Sequence, residues 1–66
     1  MDIRVAKHII GKKVKYGDHA YILTACILRK NDQGYHYQAE LRELKANCVY
    51  IVALDDVEEV NSDGKM

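Results

Sequence analysis

The chain has 66 residues, ten Lys/Arg against ten Asp/Glu, five Tyr, and no Trp, Phe or Pro. That length makes one domain, which buries only about 60% of its unfolded surface, keeps a stability of about 5 kcal/mol, and leaves little room for an enclosed substrate pocket. No apolar run approaches the ~20 residues of a membrane span, and no apolar core follows Met1-Asp2-Ile3-Arg4, so neither a membrane anchor nor a signal peptide is expected and the cytoplasm is the default.

The zero net charge conceals an asymmetry. Residues 1–30 carry seven Lys/Arg against Asp2 and Asp18, while residues 31–66 carry Arg42, Lys45 and Lys65 against eight acids. A basic half is one mark of nucleic-acid binding. The plainer expectation is that basic and acidic strands lie side by side and cancel.

In chain order, DIRVAKHIIG spaces Ile3, Ala6, Ile9 and Ile10 as one helix face, with Asp2 as N-cap and Gly11 after the end. This predicts a short helix over about residues 3–10. Helices so short are unstable alone, so it must pack on something.

KKVKYGDHAYILTACILRK predicts a hairpin turning at Gly17-Asp18, a pair suited to a two-residue loop. Tyr16 then faces His19, and Val14 faces Tyr21. Val14, Tyr21, Leu23, Ala25 and Ile27 share a core face, leaving Ile22, Cys26 and Leu28 together on the other. KNDQGYHYQAEL follows, with Tyr35, Tyr37, Ala39 and Leu41 alternating with polar residues, a half-buried strand pattern. A three-residue loop ending at Gly34 sets Tyr37 against Arg29, Ala39 against Ile27 and Leu41 against Ala25. That register places Tyr37 in the core and Tyr35 at its rim.

The strand is expected to run through Arg42 and turn at Lys45-Ala46-Asn47, although Gln38–Asn47 also contains good helix formers. Cys48 to Leu54 (CVYIVAL) is apolar on both faces, as in a central buried strand. Val57–Val60 adds a short edge strand or one helical turn, and residues 61–66 form a frayed, disordered tail.

These elements predict a mainly β domain: a small, bent antiparallel barrel of four to five strands with a short N-terminal helix. The layout resembles SH3-like barrels over roughly residues 11–60. The stretches IIGKKVKYGDHAYILTA and YHYQAELRELKANCVYIVALDDVEEV are also similar to short proteins carried on bacterial mobile elements. The resemblance implies a fold and no residue roles. Peptide-binding SH3 domains use aromatic groove residues and an acidic loop that are not matched here.

The chemistry-bearing residues are sparse. His8, His19, His36, Cys26 and Cys48 show no CxxC, HxxxH or HExxH spacing, so no metal or other cofactor is expected. Both cysteines suit small buried hydrophobes. No motif places a nucleophile beside a base, GKK at Gly11 lacks the rest of a phosphate loop, and an enzyme is not expected. The patch Ile22, Cys26 and Leu28 needs a cover. The N-terminal helix is the simplest cover; if it packs elsewhere, a homodimer or a protein partner is implied. Nucleic acid is the alternative partner, through Lys12, Lys13, Lys15, Tyr16, Arg29, Lys30 and Tyr35.

Overall fold

Gly17, at φ 62°, turns strand β1 (Lys13–Tyr16) into strand β2 (His19–Asn31) in a computed structural model that describes residues 1–60. The predicted tail lies outside the described residues. Tyr16 faces His19 and Val14 faces Tyr21, the register that a two-residue loop requires. Strand β3 (Gly34–Glu43) returns along β2, and β4 (Val49–Ala53) returns along β3. A single 3₁₀ turn, Leu54–Asp56, leads into β5 (Val57–Glu59), which pairs with β1.

The domain is thus mainly β, with one antiparallel sheet in the order β4-β3-β2-β1-β5. β4 and β5 are its two edges and are not bonded to each other, so the ladder is open. Yet these edges are joined by only three residues. The step from Ala53 to Val57 spans at most about 14 Å, whereas the edges of a flat five-stranded sheet lie about 19 Å apart. The sheet must therefore bend strongly.

The expected central position of Cys48–Leu54 is corrected by this order. β4 has one neighbour, and Val49, Tyr50 and Ile51 are exposed. Apolar residues on both faces of a strand do not reveal whether a second neighbour exists.

The predicted helix is also shorter. Asp2 caps it, its carboxylate accepting from the Arg4 N–H at 2.8 Å, but α1 covers only Ile3–Ala6. The Ala6 and Lys7 amides bond four residues back, whereas those of His8 and Ile9 bond three back. The chain thus opens into tight turns that reach Gly11, whose N–H donates to the Leu23 carbonyl at 2.7 Å. This places Ala6 at the centre of the core and packs Met1, Ile3 and Ile9 around it.

The β2–β3 register differs from the expected one. The loop is two residues, Asp32-Gln33, so Lys30 faces Tyr35, Leu28 faces Tyr37 and Cys26 faces Ala39. A β-bulge at Thr24 then shifts the pairing, and Leu23 faces Leu41. The expected register assumed an unbroken two-residue period along β2; Thr24 is the residue that breaks it. Ala39 and Leu41 are fully buried as expected, but Tyr37 is 41% exposed. On β2 the core side carries Tyr21, Leu23, Cys26 and Leu28, while Ile22, Ala25 and Ile27 lie on the outer face. The core is completed by Val14, Leu54 and Val57.

Candidate interaction surface

The bulge separates the three residues of the predicted patch. Ile22 lies on the outer face, between Lys13 and Arg42 of the flanking strands. Cys26 and Leu28 lie on the core side. Cys26 packs against the core, where burial pushes its thiol pKa up. Leu28 stands beyond the core at 55% exposure, beside Tyr37. The patch does not form as predicted.

A different apolar surface takes its place. Strand alternation and the pairs Glu40–Ile51 and Gln38–Ala53 bring Val49, Ile51 and Ala53 of β4 onto the same outer face as Ile22, Ala25 and Ile27 of β2. The polar residues Arg42, Glu40 and Gln38 of β3 run between the two rows. Val49 and Ile51 are 49% and 45% exposed. The N-terminal helix gives this face no cover, because it is committed to the opposite side through Ala6.

The edge of β4 has a further property. The Glu43 N–H donates to the Cys48 carbonyl at 3.0 Å. Because bonded and non-bonded pairs alternate along an antiparallel ladder, Tyr50 and Val52 also bond inward to β3. Val49 and Ile51 therefore direct both their N–H and C=O groups away from the sheet, and Ala53 its N–H, while the Ala53 carbonyl accepts the first bond of the 3₁₀ turn. No charge, proline or bulge guards these five residues, the usual protections of an edge strand.

On the core side, at the end away from the β2–β3 turn, three tyrosines form a row. Tyr16 and Tyr21 meet edge to face at 6.4 Å between ring centroids, and Tyr21 and Tyr50 at 5.8 Å. The Tyr50 hydroxyl donates to Glu43 at 2.5 Å, and this bond with the carboxylate's charge pushes the phenol pKa up to about 12. Tyr21, Tyr50, Glu43, His19 and Lys45 help to line an open cleft of about 480 Å³. Among the described residues, no three His, Cys, Asp or Glu side chains gather as a metal site would require.

The residues considered for nucleic acid fall into two groups. Lys12, Lys13 and Lys15 lie at β1, where Lys15 faces Glu58 and Val14 faces Glu59 across the β1–β5 pairing. Tyr16 belongs to the tyrosine row and packs on the core. Arg29, Lys30 and Tyr35 lie at the tip of the β2–β3 hairpin, with Lys30 Nζ 5.7 Å from the Tyr35 ring centroid. Along β2, from Ile22 beside Lys13 to Arg29, the groups stand about 20 Å apart.

The apolar character of Cys48–Leu54 on both faces is plain in the residues, but its place at the sheet edge is not. A three-residue link such as Leu54-Asp55-Asp56 is equally compatible with a hairpin, so it does not reveal that β5 pairs with β1 instead of β4. Comparison of the chain with protein-family models, curated proteins and solved structures finds no match.

Proposed function

We propose that this chain is a non-catalytic binding module acting through protein–protein interaction, on a bent sheet that serves as an SH3-like barrel scaffold. The observation that carries this reading is an outer face without a cover among the described residues: Val49 and Ile51 stand half-exposed on the same face as Ile22 and Ile27, one strand apart from them. Apolar rows alternating with polar side chains on one exposed face give the mixed surface that protein partners dock on.

The test is solution mass across concentration, together with cross-linking in cell extract, for the wild type, Ile22→Lys and Leu28→Lys. Ile22→Lys should abolish cross-linking to a partner laid on the outer face, and Leu28→Lys should leave it intact. A protein that stays monomeric and cross-links to nothing sinks the reading.

Nucleic-acid binding is the second reading, supported by Arg29, Lys30 and Tyr35 on a hairpin tip that extends beyond both neighbouring strands. It ranks lower because β1 borders the acidic strand β5, with Lys15 opposite Glu58. Binding of labelled single- or double-stranded oligonucleotides that weakens steeply with salt would reverse the order.

A further inference from the structure

Resting on the interaction reading, the backbone geometry points to a specific partner: we propose that β4 pairs antiparallel with β4 of a second copy of this chain, across a two-fold axis at Ile51. Three observations support this occupant. The outward-facing backbone groups belong to Val49, Ile51 and Ala53, which are symmetric about Ile51. A two-fold pairing therefore sets Ile51 against Ile51 and Val49 against Ala53; the central pair exchanges two hydrogen bonds, and each outer pair adds one from the Ala53 N–H to the Val49 carbonyl. Nothing charged meets in the paired stretch, and the six side chains extend the apolar outer face across the junction.

The flanks are complementary as well. Asn47 and Asp55 lie four residues on either side of Ile51, so the pairing lays the Lys45 loop of one copy beside Asp55-Asp56 of the other, twice. All three charged residues are exposed. Among the described residues the only ion pair is Arg4–Asp2, so Lys45, Asp55 and Asp56 enter the junction without ionic partners in their own protomer. The other free edge, β5, is a poorer partner for β4: it is three residues long, and Glu58 and Glu59 occupy two of them.

The experiment uses the full chain made by chemical synthesis, with and without N-methylation at Ile51. That N–H bonds nothing among the described residues of the protomer, so the change should spare the fold while removing the central bond of the junction. The wild type should pass from one to two protomer masses as concentration rises to about 1 mM, the weak range expected for an interface this small. The Ile51 and Ala53 amides should exchange at least about tenfold more slowly in the dimer, while Tyr50 and Val52 change little. N-methylation and Ile51→Lys should each weaken dimerisation at least about tenfold.

A dimer indifferent to N-methylation, or open-ended oligomers from β4–β5 pairing, overturns the proposal. A chain that stays monomeric yet cross-links to another protein through Ile22 also overturns it, but leaves the interaction reading standing. Monomeric behaviour without any cross-linked partner removes both.

Discussion

The Thr24 hydroxyl lies 2.7 Å from the Glu40 carboxylate and 3.0 Å from the Glu40 carbonyl, at the point where β2 carries one residue more than β3. One side chain thus anchors the bulge to the strand it faces. Thr24→Val keeps the volume and removes the donor, and should cost about 1–2 kcal/mol. Thr24→Ser should retain most of the stability. Urea midpoints at constant slope measure both, and equal losses would mean the bulge is held without this hydroxyl.

Leu41 and Tyr37 provide the sharpest check on the register. Leu41→Ala empties a fully buried site and should cost about 3 kcal/mol, most of the stability of a domain this size. Tyr37→Ala and Leu28→Ala should cost less than about 1 kcal/mol each, because both side chains already meet water. A loss at Tyr37 as large as that at Leu41 would favour the three-residue loop over the observed one.

Gly34 holds φ at 122°, in a region that side-chain-bearing residues seldom adopt. No heavy atom stands within 4 Å of where a Cβ would sit, so the penalty for substitution comes from the backbone alone. Gly34→Val should destabilise the hairpin by about 1–3 kcal/mol. His36→Ala, on the outer face of the tip, should change stability by less than about 0.5 kcal/mol. Thermal unfolding of the two variants settles the comparison.

Tyr50 makes stability depend on pH at the alkaline end. Its folded pKa, about 12, lies above the ordinary value of 10.0, so the folded state prefers the neutral phenol. The Tyr50–Glu43 contribution is therefore complete below pH 10 and is lost as pH rises through about 12. The stability difference between wild type and Tyr50→Phe should shrink across that window. In an absorbance titration, Tyr50→Phe should remove a phenolate step near pH 12. An unchanged titration would show that the bond to Glu43 does not persist in solution.

Much of the scaffold was legible in the residues. Gly17-Asp18 fixed one hairpin, Ala39 and Leu41 declared a core face, and basic β1 does lie beside acidic β5. The outer surface was harder to read because a single unpaired residue, Thr24, breaks the two-residue period on which every face assignment downstream depends. Nothing in TACI distinguishes a bulge from regular strand. The exposure of β4 was hidden for another reason: burial of a strand depends on its neighbours, and those are set by the bend of the whole sheet.

The bulge also changes what an indel does to this chain. Losing one residue from a strand ordinarily throws the remainder onto the wrong face. Losing Thr24 would instead leave Leu23 opposite Leu41, Ala25 opposite Glu40 and Cys26 opposite Ala39, with the hairpin tip untouched. A one-codon deletion is therefore neutral for pairing here, although the anchor to Glu40 is lost. Removing Ile27, only three positions away, has no such shelter. Length variation among descendants of this sequence should thus be tolerated at Thr24 and purged beyond it.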